Sequence, residues 1–409
     1  MTLRFLTAGE SHGPALTAIL EGIPAGLTLD NEAIQRELRR RQAGYGAGPR
    51  MKLENDRAQI LSGVMAGQTT GAPIALLIEN HDHSHWQGKL VDAFTTPRPG
   101  HADLTGAVKY AYTDLRPALE RASARETAAR VAVGAICRML LAEFGIRIGG
   151  YVAAIADVVA NLERLSFEER WQQAENSEVR CPDPQAALAM QARIRQVMED
   201  RDTLGGIIEV AALGVPIGLG SYMEWDRRLD ARLGAALLSI PAIKGVEIGP
   251  AFENSRLPGT QVHDAIHLDN GTLRRGSNRA GGIEGGISNG EQILLRAAMK
   301  PIATTLTPQA SVDLASQRET TTTYERSDFC PVPRAVPVAE AMMAFVLADA
   351  LLEKLGGDSL EEMRPRFNSL RQATLSDLPM NKAGHLPFWP ANSSTSPASQ
   401  QESDKSSPQ

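Results

Sequence analysis

"ERASARETAARVAVGAICRMLLAEFG", residues 120–145, decides the fold. Its body, Ala128–Leu141, is small and apolar on nearly every side, with Arg130 and Arg138 the charged exceptions. A helix that is apolar all round is a buried one. Ser123-x-x-Glu126 reads as a capping box at its start, each side chain satisfying an otherwise orphan amide, and Gly145 is placed to stop it. "VPVAEAMMAFVLADALLEKLGG", residues 336–357, is a second helix of that kind and again ends in glycine. Two buried helices need cover on several faces, which a sheet on either side could supply. The N-terminal part reads as strands and turns, "LTAILEGIPAGL" at 16–27 and "ILSGVMAGQTTGAPIALLIEN" at 60–80. Between them a helix is expected from about Asp30 to Gln42, capped by Asp30 or Asn31, with Gly44 beyond its end.

An internal echo links two parts of the chain. "GIPAGL" at 22–27 recurs as "GVPIGL" at 214–219, each after a β-like run and before an acidic helix start, Asp30 and Asp226. Two related halves within one composite domain, residues 1–371, are therefore expected. Residues 372–409 end in "ANSSTSPASQQESDKSSPQ", too polar to bury anything and expected to be a disordered tail.

Bulk properties bound the function. The 409 residues, 43% hydrophobic and 22% charged, are ordinary for a soluble globular protein. A net charge of -6 argues against a general nucleic-acid or anionic-membrane binder, while leaving room for a local basic pocket. Cys137, Cys181 and Cys330 are too few and scattered for a disulfide framework or a CxxC metal site, which fits a reduced, cytoplasmic setting. The longest apolar runs fall short of a membrane-spanning helix. "MTLRFLTAGESHG" lacks the apolar core of a secretory signal, so the start reads as mature protein.

The chemistry-bearing residues sit on stiff loops. "PRPGHADL" at 97–104 is expected to keep Arg98, His101 and Asp103 out of any helix, because proline fixes φ and lacks an amide donor. "TAGESHGPAL" at 7–16 sets His12 between Ser11 and Gly13. Histidine alone titrates unperturbed near neutral pH, so two in Gly-flanked polar loops point to proton transfer. Arg36, Arg39, Arg40 and Arg41 end the first helix, with Arg50 and Lys52 just beyond. Cations favour a helix C-terminus, and arginine forks equally suit carboxylate or phosphate oxygens. Arg121, Ser123 and Arg125 gather at the N-terminus of the buried helix, where arginines oppose the dipole but an anion would be welcome.

"AGGIEGGISNGEQILLRAAMKPIATT" at 280–305 has neither a Walker pattern nor GxGxxG, and Asn289-Gly290 signals a hairpin before a strand. "ERSDFCPVPRA" at 325–335 is another proline-stiffened loop, with Arg326 and Asp328. "NHDHSHW" at 80–86 offers His81, His83 and His85 to a metal, but no second cluster completes a coordination shell. The residues together suit proton transfers around a polyanionic substrate, with no covalent nucleophile motif and no metal.

"GESHG", "RPGHAD", "ERASARET", "GGIEGGISNG", "KPIAT" and "ERSD" occur in that order along residues 1 to about 355. The chain thereby resembles the chorismate synthase family. The resemblance implies an α+β fold, a β-α-β sandwich with buried helices between two antiparallel sheets, assembled as a homotetramer. It implies 1,4-anti elimination of phosphate from 5-enolpyruvylshikimate 3-phosphate to give chorismate, needing reduced FMN with no net redox change. In the family the histidine matching His101 protonates the reduced flavin, the one matching His12 gives a proton to the leaving phosphate, and the acid matching Asp328 relays a proton. FMN contacts carry over to Arg121, Ala122, Ser123, Ala242, Gly285, Lys300, Pro301, Ile302, Ala303, Thr304 and Arg326. Substrate or anion contacts carry over to Arg41, with Arg50 and Arg125 beside it.

Departures from the family's pattern are Ala47 where a ligand-binding arginine is expected, Pro117, Pro241 in place of a flavin-contacting asparagine, and Phe329. Ser327 is histidine in many members and serine in one bacterial branch. Two rivals follow: a flavin-dependent reductase with net hydride transfer, and a flavin- or polyanion-binding relative with lost or weakened turnover. With no extra domain visible, FMN is expected to be reduced by an external flavin reductase, NADPH serving only as an indirect reductant.

Overall fold

The computed structural model describes residues 3–46, 55–325 and 327–380. Ala47, Arg50, Lys52, Arg326 and the tail from 381 onward lie outside the described residues.

Two antiparallel sheets carry the architecture. The first is formed by β1 (Arg4–Ala8), β2 (Ala15–Glu21), β3 (Ala58–Ile60) and β4 (Ile74–Glu79) in the order β1-β2-β4-β3. In β2, Leu16, Ala18 and Leu20 are buried and alternate with exposed neighbours, the period of a sheet with one face in the core. The second sheet comprises β5 (Arg147–Ile155), β6 (Val158–Val159), β7 (Gly206–Leu213), β8 (Ile243–Ile248) and β9 (Ile293–Met299), ordered β8-β9-β7-β5-β6. All of β5 past Arg147 is buried, because the Phe167–Glu175 helix covers its outer face and Trp171 packs on Gly149. "GIPAGL" and "GVPIGL" follow β2 and β7, each an interior strand of its sheet.

The helices that build the core and the site include α1 (Asn31–Gln42), α2 (Asp103–Tyr110), α3 (Arg116–Arg121), α4 (Thr127–Ala142), α5 (Leu229–Leu238) and α6 (Val332–Leu355). The α4 helix packs on β2 and β4, α6 on β5 and β7, and the two helices on each other. Gly134 makes that crossing close: a Cβ there would stand 2.3 Å from Cβ of Ala341. Gly134→Ala is expected to lower stability by about 1–3 kcal/mol through overpacking. That loss outweighs the gain of about 1 kcal/mol in helix propensity. The midpoint of urea unfolding reads it, and an unchanged midpoint would show that the helices can part cheaply.

Both charged exceptions in α4 have partners. Arg138 Nη1 reaches the fully buried Glu340 of α6 at 2.8 Å, and Arg130 Nε pairs with Glu126 at 2.9 Å. Glu340 also takes Arg40 at 2.5 Å, so its charge is compensated by two guanidinium groups. The α1 helix starts as read, with Asp30 accepting from the Glu32 amide at 2.9 Å.

Several expectations are corrected. Asp103 is not kept out of helix: it is the first residue of α2, since it lies beyond the reach of Pro97 and Pro99. The capping box does not form: Ser123 Oγ accepts from Arg125 N, and a short 3-10 turn, Ala124–Glu126, precedes α4. Glu126 is taken instead by Arg130 and by the Thr7 hydroxyl, which donates at 3.0 Å. The second buried helix begins at Val332 rather than 336, since prolines in a first turn need no amide partner. By length and composition this 24-residue helix could cross a membrane, yet 89% of its most apolar window is buried inside the fold. Asn289-Gly290 does not turn a hairpin: the paired strands are Ile283–Glu284 and Ile287–Ser288, turning at Gly285-Gly286, while β9 pairs with β7 and β8. Residues 373 and 375 bond to the 271–273 turn, so ordered chain runs past 371.

Candidate active site

A cavity of about 780 Å³ opens where the loops after β1, around His101 and after β9 meet the start of α4 and α6. His12, His101 and Asp328 all line it, as do Ala122, Ser123, Arg41 and Arg125. Ala242, Lys300, Ile302, Ala303 and Thr304 form another part of the wall. Arg121, Gly285 and Pro301 do not line it. Arg121 is exposed and donates to the Thr7 hydroxyl and carbonyl; Gly285 turns the Ile283–Ser288 hairpin. Arg50 and Arg326 lie outside the described residues.

The two histidines are held in the same way. Nδ1 of His101 stands 2.6 Å from Oδ1 of Asp103, a fully buried carboxylate that Arg98 grips through Nε at 2.8 Å and Nη2 at 3.0 Å. Burial alone would raise the Asp103 carboxyl, but the hydrogen bonds from His101 and Arg98 outweigh it and hold the group well below the usual carboxylate range. Nδ1 of His12 stands 2.7 Å from Oε1 of Glu120. Burial again opposes ionisation of Glu120, and the bonds from the His12 ring and backbone again win, lowering it. A carboxylate can only accept, so each Nδ1 carries the proton; Nε2 is the other nitrogen of each ring, with Arg98 Nη2 3.4 Å from that of His101. Trp86 packs against His12, ring centroids 4.4 Å apart.

Among the described residues, six cationic side chains line the cavity, Arg41, Lys89, Arg98, Arg125, Lys300 and Arg334, against three carboxylates, Asp82, Glu325 and Asp328. The arginine cluster at the end of α1 is thereby sorted. Arg36 and Arg39 pair with Asp30 and Glu32 at the surface, Arg40 goes to Glu340 and Glu175, and only Arg41 turns to the cavity. Asp56, buried, bridges Arg125 at 2.5 Å and Arg41 at 3.4 Å. Burial, then Arg334 and Arg125, pull Arg41 down to about 9 against the opposing pull of Asp56 and Asp328. That surplus of positive charge is what a bound anion relieves. Arg334 ties Asp328 in place and donates through Nε to the Arg41 carbonyl at 3.0 Å.

Three departures have local causes. Ile240-Pro241-Ala242-Ile243 is a turn closed by Ile243 N–H to Ile240 C=O at 3.1 Å, with Ala242 at φ +69°. Proline second and positive φ third are the type II pattern, so Pro241 presets the geometry that presents Ala242. Pro117 sits in the first turn of α3, where its missing amide has no partner to lose. Phe329 packs against the main core, and its amide donates to the Gly46 carbonyl. Lys300 N–H donates to the Ala242 carbonyl at 2.9 Å, joining the two wall segments, and Ser327 Oγ donates to the Thr304 carbonyl at 3.0 Å.

Glu120, Asp56, Trp86 and Arg334 went unnoticed in the sequence as site residues. Glu120 lies 108 residues from the histidine it holds, and no spacing rule connects them. His81, His83 and His85 are spread around a 3-10 turn: His85 lines the cavity, while His83 Nδ1 lies 2.9 Å from the His12 carbonyl oxygen.

Paired imidazole–carboxylate units facing an arginine-rich cavity give the site groups that can move protons beside an anion. Comparison with known proteins makes the class particular. A family profile described as chorismate synthase matches residues 3–352. The chorismate synthase of Trichlorobacter lovleyi is 53% identical over 379 residues, 88% of this chain and 97% of that protein. That of Aquifex aeolicus is 54% identical over 386 residues, 89% of this chain and 96% of its own. A crystal structure of chorismate synthase matches with a TM-score of 0.74 at 48% identity, covering 90% of this chain and 97% of the other. The chain belongs to the chorismate synthase family. Its activity is that of a phosphate-eliminating lyase of the shikimate pathway, in a family that uses reduced FMN.

Proposed function

We propose that the cavity carries out the 1,4-anti elimination of phosphate from 5-enolpyruvylshikimate 3-phosphate, with His12, His101 and Asp328 as its proton-handling groups. The observation that carries this is the pair of histidines, each with Nδ1 on a carboxylate, facing one cavity that six cations line among the described residues. Small and apolar wall residues, Ala122, Ala242, Ile302 and Ala303, suit the flat face of an isoalloxazine ring, and Lys300 suits its electron-rich edge. The residues present therefore fit reduced FMN, held by that wall with Ser123 and Thr304. When bound, reduced FMN supplies the electron density that the elimination needs without a net change of redox state.

The chain's own groups do the rest. Arg41 and Arg125 bind the substrate's anionic groups, since guanidinium forks match carboxylate and phosphate oxygens. His12 donates from Nε2 to the departing phosphate, which lowers the barrier to loss of a dianion. His101 holds a proton at Nε2 against the ring wall. Asp328 accepts a proton at its carboxylate, steadied by Arg334. Arg50 completes the anion contacts in this reading, and the flavin contacts extend to Arg121, Arg326, Pro301 and Gly285. Helices layered between the two sheets form the family's β-α-β sandwich, as one composite domain assembled as a homotetramer in the cytoplasm. An external flavin reductase supplies the cofactor's electrons, with NADPH acting only through it.

The test is anaerobic: purified protein, chemically reduced FMN and the enolpyruvyl substrate, with phosphate release and flavin absorbance followed together. Catalytic phosphate release with the flavin still reduced is expected; oxidation of one flavin per turnover would make this a reductase. Binding of both ligands with no phosphate released would leave a relative that has lost turnover. NADPH and FMN alone are expected to support no turnover, and turnover under those conditions would remove the external reductase.

A further inference from the structure

Glu120 does more than touch His12. Its Oε1 stands 2.7 Å from Nδ1 of the ring, and its Oε2 accepts the His12 backbone N–H at 2.8 Å. One carboxylate at the end of α3 thus holds both the ring and the peptide that carries it. The neighbouring Ser11 N–H donates to the Glu120 carbonyl at 3.2 Å, fixing loop to helix at a third point. Other groups around His12 are of a different kind. Trp86 covers the ring, His83 contacts the carbonyl, and Asn80 Nδ2 donates to the Gly13 carbonyl at 2.8 Å. Glu120 is the charged partner on the ring itself, at 15% side-chain exposure.

We propose that Glu120 is a positioning residue that selects the tautomer of His12, keeping a proton on Nδ1 so that Nε2 faces the departing phosphate and can carry the proton given to it. This rests on the reading of His12 as the acid for the leaving group. The physical reason is donor counting. Both groups aimed at Glu120 are donors when the ring is protonated, and a carboxylate satisfies both. Glutamine has one acceptor and one donor end. Its oxygen must serve the backbone N–H, which cannot invert, so its NH2 faces Nδ1 and drives the neutral ring's proton to Nε2. A ring so held also opposes two donors when it becomes imidazolium. The same wrong-tautomer logic applies when the orienting acid of a serine-protease triad becomes an amide.

The experiment compares Glu120→Gln, Glu120→Asp and His12→Ala in the anaerobic phosphate-release assay with reduced FMN, measuring kcat and KM separately. Glu120→Gln is expected to lower kcat about a hundredfold or more with KM changed less than about threefold. Glu120→Asp keeps the charge but loses one contact, and is expected to retain more kcat than the glutamine isostere. A purely structural role predicts the reverse, because glutamine preserves the shape. Wild-type kcat in Glu120→Gln, a rise in KM without a fall in kcat, or Asp below Gln overturns the proposal. Should the glutamine chain fail to fold, Glu120→Asp in a His12→Ala background decides. No further loss beyond about twofold is expected there, since the two residues act as a unit. A full additional loss overturns it. Wild-type kcat in His12→Ala would instead remove the reading of His12. A crippled His12→Ala beside an unimpaired Glu120→Gln removes only the positioning role.

Discussion

His101→Ala is expected to bind FMN as the parent chain does and to lose about 10²–10⁴ of its turnover, the span of a general acid–base group. The structure separates the two effects. His101 lines the cavity with a ring whose Nδ1 rests on Asp103, while most of the wall assigned to the flavin, Ala242 and Lys300 to Thr304, is built from other segments. Removing the ring leaves no orphaned buried charge, because Asp103 keeps both Arg98 side-chain bonds at 2.8 and 3.0 Å and its backbone amide at 3.0 Å. The fold should therefore lose only about 1.5–3 kcal/mol, the worth of one hydrogen bond to a charged group. A fluorescence titration of FMN checks binding, and anaerobic kcat checks chemistry. Undiminished kcat would take His101 out of the proton-handling set, and loss of both together would make it a binding residue.

The α4 helix was legible because nothing charged interrupts it on any face except Arg130 and Arg138, and both turn out to have carboxylate partners; α6 was legible from its long apolar run, although it carries the buried Glu340. Their starts were less legible. Glu126 had a nearer cation in Arg130 than the Ser123 amide, and Pro333 and Pro337 concealed four helical residues that tertiary packing holds. Asn289-Gly290 failed as a hairpin signal for a related reason. Local turn preference is worth little against β9, whose two neighbours are both paired along most of its length.

The loop histidines stood out because glycine and proline framed them. The partner of His101 lay two residues on, in the same quoted stretch, whereas the partner of His12 came from α3. Of the arginines ending α1, helix-dipole arguments accounted for the cluster and could not say which one turned inward. That depended on Thr127, Ala124 and Asp56, which α4 and β3's approach bring to Arg41.

Asp103→Asn should damage both stability and chemistry, because four donors converge on two oxygens. Arg98 N and Nε meet Oδ2 at 3.0 and 2.8 Å, while Arg98 Nη2 and His101 Nδ1 meet Oδ1 at 3.0 and 2.6 Å. An amide offers one acceptor end. Placed on the Arg98 side, it leaves NH2 against His101, the only one of the four donors able to become an acceptor. The neutral ring then carries its proton on Nε2, and the nearly buried Arg98 loses its counter-charge. Removing one partner of a buried pair costs about 3–5 kcal/mol, and the retained bonds put Asn at the low end, about 3 kcal/mol.

The pH dependence has a definite sign. Asp103 is held below its unfolded value, so its stabilisation is fully present above about pH 4 and is lost as pH falls toward the folded value. The gap in urea midpoint between parent and variant should therefore narrow as pH falls below about 4. Turnover should fall at least about a hundredfold at pH 7. A gap that fails to narrow in acid would mean that Asp103 stabilises the fold by shape rather than charge. Parental kcat in the variant would mean that His101 finds its working tautomer without the carboxylate.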